Sequence, residues 1–162
     1  MKKTLEIDFE IEREKLPCTP EMFKFLLEHI DENRELANII FDTMFENEMK
    51  EIEDWNRATF KNATKAGQLM KLEEEMWEAA EASEEDTQHF IEEQADIWIV
   101  LAGLRRFNSL IGRVLEKSLK KNAISMPETK IALLGAILRK MDINKSRKWD
   151  KPVNGLYKHS TK

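Results

Sequence analysis

Cysteine is almost missing from this chain. Cys18 stands alone, so no intramolecular disulfide can form, and the expected compartment is a reducing cytoplasm. Histidine is scarce too: His29, His89 and His159 are the only three. A di-iron carboxylate bundle wants Glu-x-x-His on two helices, and here only Asp86-x-x-His89 comes near, once. His89 is therefore read as a surface residue, and the same lack of Cys and His ligands disfavours zinc. Five Gly and four Pro leave few turns, which predicts long helices. There is no G-x-x-x-x-G-K-[ST] loop, hence no P-loop, and no Ser/His/Asp set stands out. The apolar run 97–104 is far too short to cross a bilayer, so no membrane association is expected. No apolar core follows Met1-Lys2-Lys3, so no signal peptide is expected either.

What is present is charge, unevenly spread. At 162 residues the chain has room for one domain with a real core and an appendage. Charged residues make up 35%, as in helical proteins with solvated outer faces, and the net charge is -5. Residues 1–104 carry 27 acids and 11 bases, whereas residues 105–162 carry 4 acids and 15 bases. A basic C-terminal third suits phosphate, as nucleic acid or as nucleotide. A pure nucleic-acid binder has little use for the acidic blocks beside it, while a metal–nucleotide site uses both signs.

The periodicity is helical nearly throughout. Leu5, Ile7, Phe9 and Ile11 alternate with acids, a period-two pattern that reads as a short strand or an extended arm. Thr19-Pro20 opens a first helix to about Ile30, and Asp31 is placed to cap a second that ends near Trp55. Residues 56–63 read as a loop. Thr64 caps a helix over 65–83, and Ser83-Glu84-Glu85-Asp86 turns into another over about 86–107, antiparallel to it. A fourth amphipathic segment covers 109–122. The last helix starts at Ser125-Met126-Pro127-Glu128 and ends near Trp149-Asp150. The domains are then an N-terminal extension (1–50), a helical domain (51–150) and a loose polar tail (151–162).

Two constellations carry chemistry. Glu75 and Glu78, then Glu93 and Asp96, are pairs three residues apart, each on one side of its helix. The second pair leads into the all-apolar run 97–104, where unpaired carboxylates are costly to desolvate. Solvated helix faces often carry Glu-x-x-Glu, but these pairs lie on consecutive antiparallel helices and can face each other. Oxygen-only ligands favour a hard cation, Mg²⁺ or Mn²⁺. The other constellation is Lys140, Asn144 and Arg147, at i, i+4 and i+7. Two cations around an amide donor suit phosphate oxygens, although bases at a helix C-terminus also answer the dipole.

Taken in order from Trp55 to Trp149, these elements resemble the MazG-like all-α nucleoside triphosphate pyrophosphohydrolases. The matching residues are Trp55 with Thr59-Phe60, Gln68-x-x-Lys71-Leu72-x-x-Glu75-x-x-Glu78, Glu93-x-x-Asp96, and Lys140-x-x-x-Asn144-x-x-Arg147-x-Trp149. The ending is closest to the dATP/dGTP pyrophosphohydrolase-like branch. The resemblance implies an antiparallel helical bundle that forms homo-oligomers, dimers or tetramers, and cleaves nucleoside triphosphates to monophosphate and pyrophosphate. It implies that Glu75, Glu78, Glu93 and Asp96 hold Mg²⁺, and that Glu74, Glu75 or Glu78 handles the attacking water. Lys71, Lys140, Asn144 and Arg147 would contact phosphates, and Gln68 and Trp149 would line the pocket. Residues 1–50 lie outside the match. The expected role is control or sanitation of the nucleotide pool; the rivals are a dUTPase-type or modified-nucleotide enzyme, and a non-catalytic helical protein that binds nucleic acid.

Overall fold

The computed structural model of the chain describes residues 20–29, 31–32, 34–122 and 127–160. Among them are six helices and no strand: α1 (Pro20–His29), α2 (Arg34–Thr59), α3 (Lys65–Ala82), α4 (Thr87–Arg105), α5 (Leu110–Asn122) and α6 (Pro127–Ser146). The all-α bundle expected from the periodicity is the fold. The alternating segment 5–11, Cys18, the Thr19 cap and the start at Ser125-Met126 lie outside the described residues.

The bundle is built around α4. Every residue from Ile97 to Leu104 is buried, which a helix can manage only with neighbours on all sides. It has them: α4 packs on α2, α3, α5 and α6, most extensively on α3. Each large aliphatic side chain so buried contributes about 2 kcal/mol. Phe45 of α2 meets Trp98 edge-on at 4.9 Å, which ties α2 into the same core. Because α2 runs unbroken through residue 50 and contributes Ile40, Met44, Met49 and Ile52, one core is shared across the 50/51 boundary.

Local chemistry sets the α3–α4 hairpin. The Thr64 hydroxyl accepts from the Gly67 amide at 3.0 Å, and the Asp86 carboxylate accepts from the His89 amide at 2.8 Å. Both are N-caps in extended backbone, the positions their side chains favour. The turn between the helices leaves Glu75 seven residues before the end of α3 and Glu93 six residues after the start of α4. The two therefore stand at similar heights, about 10 Å from the turn.

Three expectations need correction. First, α2 does not stop near Trp55 but continues to Thr59, and the Phe60 amide still donates to the Asn56 carbonyl at 2.9 Å. The partner at that end is distant in sequence. Arg106 Nη1 donates to the Asn56 carbonyl, the Asn56 side chain and the Phe60 carbonyl at 3.0–3.1 Å, and so satisfies carbonyls that the end of the helix leaves open. Second, α6 ends at Ser146, where the Trp149 indole N–H turns back to the Asn144 carbonyl at 3.3 Å.

Third, the tail described up to residue 160 is folded. Val153 and Leu156 exchange both backbone hydrogen bonds around Asn154-Gly155, whose φ values are +52 and +74. That is a two-residue turn with both central residues left-handed, the Asn-Gly hairpin type. Flanking it, Asp150 N donates to Lys158 O and Ser160 N donates to Lys148 O, each at 2.9 Å. The hairpin docks on the start of α3. Gly155 O accepts from Thr64 N at 3.2 Å, and a Cβ on Gly67 would lie 2.4 Å from that oxygen.

Candidate functional site

Where α3, α4, α6 and the C-terminal hairpin meet there is a cavity of about 500 Å³. Gln68, Lys71, Glu74, Glu75 and Glu78 line it from α3, and Asp96 from α4. Lys140 and Asn144 of α6 line it too, followed by Arg147 and Trp149 just past the helix end. Glu93 is the one residue of the expected set outside the lining, yet it is not remote. Its carboxylate lies within 4.8 Å of those of Glu75 and Asp96, so the three can share a metal ion. Glu78 is exposed at the rim and outside that trio, but close enough to interact with Glu75.

Two lysines answer the trio. Lys71 Nζ reaches Glu75 at 2.6 Å and Glu74 at 3.2 Å, both on its own helix. Lys140 Nζ crosses from α6 to Asp96 at 2.5 Å. Burial works against the charge on each lysine, but the carboxylates outweigh it and hold both above the ordinary lysine range. The acids move upward as well. Burial is the main cause for Asp96, pushed to about 6 despite Lys140, with Glu75 and Glu93 adding repulsion. Burial also raises Glu75, which Lys71 only partly offsets and the neighbouring Glu78 reinforces. Acids shifted toward the proton mainly by burial, with mutual repulsion adding to it, are a site under electrostatic load, which a divalent cation would relieve. The donor set is all oxygen and suits a hard cation.

A second acidic group, Glu85, Asp86 and His89, is fully exposed at the α3–α4 turn and also has ligand atoms within 4.8 Å of one another. Asp86 is the cap of α4, and His89 is held by Glu85 at 2.6 Å. His89 is a surface residue, but its other nitrogen reaches Glu93 at 3.2 Å and so ties the turn to the inner trio.

The far wall of the cavity is aromatic. Phe60 packs edge-on against Trp149 at 4.8 Å and against Trp55 at 5.2 Å, and Tyr157 of the hairpin meets it at a tilt, also at 4.8 Å. Leu156, Lys158 and His159 line the cavity from the hairpin, and Asn56 of α2 lines it too. Sequence reasoning put Asn56 in a loop and passed over Tyr157, Lys158 and His159. Two signals were available. Asn154-Gly155 is a strong hairpin dipeptide, and the Arg105-Arg106 pair directly after an all-apolar helix needs buried acceptors. Arg105 finds Glu116 and Glu46, and Arg106 finds Asn56.

No family model, curated protein or solved structure matches this chain. Among the described residues no helix is long and apolar enough to cross a membrane.

Proposed function

We propose that the protein is a Mg²⁺-dependent nucleoside triphosphate pyrophosphohydrolase. The reading is carried by one juxtaposition: three carboxylates within 4.8 Å of one another, facing Lys71, Lys140, Asn144 and Arg147 around a cavity of about 500 Å³. Anionic ligands for a cation beside cationic ligands for phosphate suit a metal–triphosphate better than either alone. The motif resemblance from Trp55 to Trp149 points the same way.

On this reading Glu75, Glu93 and Asp96 hold Mg²⁺, or Mn²⁺, with Glu78 at the rim as a further ligand. A bound divalent ion polarises phosphoryl oxygens and lowers the pKa of bound water. With Glu75 and Asp96 on a metal, Lys71 and Lys140 would be released from them and could reach phosphate oxygens. Arg147, already steadied by Asn144 Oδ1 at 3.1 Å, meets the charge that builds on the pyrophosphate leaving group. Glu74 and Glu78, the more exposed acids of α3, are the candidates to take the proton of the attacking water.

The proposal includes self-association and a role on the free nucleotide pool of the cytoplasm. Met70 and Trp77 on α3, and Leu110, Ile111 and Val114 on α5, are exposed apolar side chains that a second copy would cover. The test is a panel of ribo- and deoxynucleoside triphosphates, dUTP included, with Mg²⁺, scored for pyrophosphate against orthophosphate. Pyrophosphate release is expected, and Glu75→Gln should lower it at least about 100-fold with helicity unchanged. Orthophosphate alone, or no turnover with salt-sensitive binding of DNA or RNA, would sink the proposal.

A further inference from the structure

Two buried amides at the aromatic end of the cavity have no role in the hydrolysis just described. Asn56 is 5% exposed and Gln68 6% exposed, and both line the cavity. Arginine only donates, so the Asn56 atom that meets Arg106 Nη1 at 3.0 Å is the carbonyl oxygen Oδ1. This fixes the amide the right way round: Nδ2 faces away from Arg106, toward α4 and Gln68. It fits there because residue 103 is glycine. A Cβ at Gly103 would lie 2.6 Å from Asn56 Nδ2 and 3.0 Å from Gln68 Oε1. Asn56 Nδ2 and the Gln68 carboxamide carry no hydrogen bond to a described residue, and no closed-off side-chain polar atom among the described residues lacks a partner, so these groups are open to the cavity. Polar groups of otherwise buried side chains, open only to a cavity of ligand size, are placed to read what enters it.

The surroundings define that ligand. Trp55 and Trp149, half-buried on the cavity wall, offer apolar surface for a planar ring. Gln68 and Glu75 are seven residues apart on α3, about 10 Å along its axis. That is on the order of the reach from the edge of a nucleobase to its phosphates. The amide end therefore stands where a base would lie if the carboxylate end holds the triphosphate, and the inference rests on that reading of the site.

We propose that Asn56, locked by Arg106 and given room by Gly103, donates from Nδ2 to a carbonyl oxygen on the base, with Gln68 as the second reader. Its own acceptor is committed to Arg106, so an exocyclic amino group at the same place meets another donor and is rejected. The site selects 6-oxo purines and 4-oxo pyrimidines over their 6-amino and 4-amino counterparts.

The test uses the full chain with Mg²⁺. Binding of dGMP, dTMP, dAMP and dCMP is followed by quenching of the tryptophans, since Trp55 and Trp149 line the cavity. Turnover of the four triphosphates is measured alongside. The oxo nucleotides should bind about tenfold or more tighter than the amino ones. Asn56→Asp keeps the Arg106 contact but turns an acceptor to the base, so the preference should vanish or invert, with inhibition by inorganic pyrophosphate unmoved. Asn56→Ser, which lacks the amide, should erase the preference and serves if the Asp variant loses helicity. Equal binding of the four monophosphates to the wild type, or an unmoved ratio in a folded Asn56 variant, overturns the inference. Discrimination among monophosphates without triphosphate turnover would sink the hydrolase proposal and leave the base reader standing. Pyrophosphate release with the ratio unmoved would do the reverse.

Discussion

Replacing Asp96 by Asn should stabilise the metal-free protein while abolishing its response to magnesium. The Asp96 carboxyl moves from an ordinary 3.8 to about 6, chiefly through burial. The folded chain thus binds this proton more tightly than the unfolded chain. By linkage, the group's contribution to stability falls as pH rises between roughly 4 and 6, and the full penalty is present above 6. A shift of about two pH units corresponds to about 3 kcal/mol. The side chain is only 20% exposed, so solvent screening removes little of this. Asparagine mimics the protonated acid in shape and charge, but Lys140 then loses its anionic partner. A net gain of about 1–3 kcal/mol remains at pH 7.5, or a Tm rise of roughly 3–10 °C for a chain of this size. Thermal unfolding followed by circular dichroism in EDTA, at pH 7.5 and at pH 4.5, measures it. The gain should shrink at pH 4.5, where wild-type Asp96 is itself protonated. Adding Mg²⁺ at pH 7.5 should raise the Tm of the wild type and leave that of Asp96→Asn unmoved. A variant that melts at or below the wild type at pH 7.5 in EDTA would refute the electrostatic argument, as would a gain that persists undiminished at pH 4.5.

Other substitutions probe the rest of the framework. Glu48 of α2 is buried, and burial, with Glu51 adding to it, raises its pKa; Glu48→Gln should therefore raise the Tm at neutral pH, by an amount that declines on acidification through the carboxylate range. Arg106→Ala strands the Asn56 and Phe60 acceptors and should cost about 2–4 kcal/mol in urea unfolding, whereas Arg113→Ala on exposed α5 should cost under about 0.5 kcal/mol. Gly155→Ala puts a Cβ 2.2 Å from Thr64 Oγ1 at a residue with φ +74, so the hairpin should lift from α3. Faster proteolysis between residues 150 and 160 would report this, with a loss of about 1–3 kcal/mol; wild-type resistance would mean that the hairpin does not depend on that close approach.

Much of the scaffold is legible residue by residue. Thr64 and Asp86 are N-caps by local chemistry, and the apolar run 97–104 has to be a helix buried on every side. The short turn 83–86 makes α3 and α4 neighbours, and that alone brings Glu75 level with Glu93. Where local reading failed, a distant partner had intervened. Asn56 and Thr59 read as loop residues beside Trp55, yet the helix runs on through Arg57 and Ala58, and Arg106, fifty residues away, takes up the carbonyls of Asn56 and Phe60 at its end. Residues 151–160 are polar, yet the Asn154-Gly155 turn and the contact of Tyr157 with Phe60 fold them over the cavity.

The sequence by itself determined where the helices begin, which carboxylates share a helix face, and that acid and base are segregated along the chain. These follow from spacings of three and four residues and from side chains that bond their own backbone. Only the tertiary structure decided which acids converge, what closes the cavity, and which way Asn56 points. Glu93 joins Glu75 and Asp96 in the inner trio while Glu78 stays at the rim. Tyr157 reaches the Asn62 amide across 95 residues of chain. Such contacts leave no periodic trace, because they exist only once the apolar core has excluded water and made every unmet donor or charge find a partner through space.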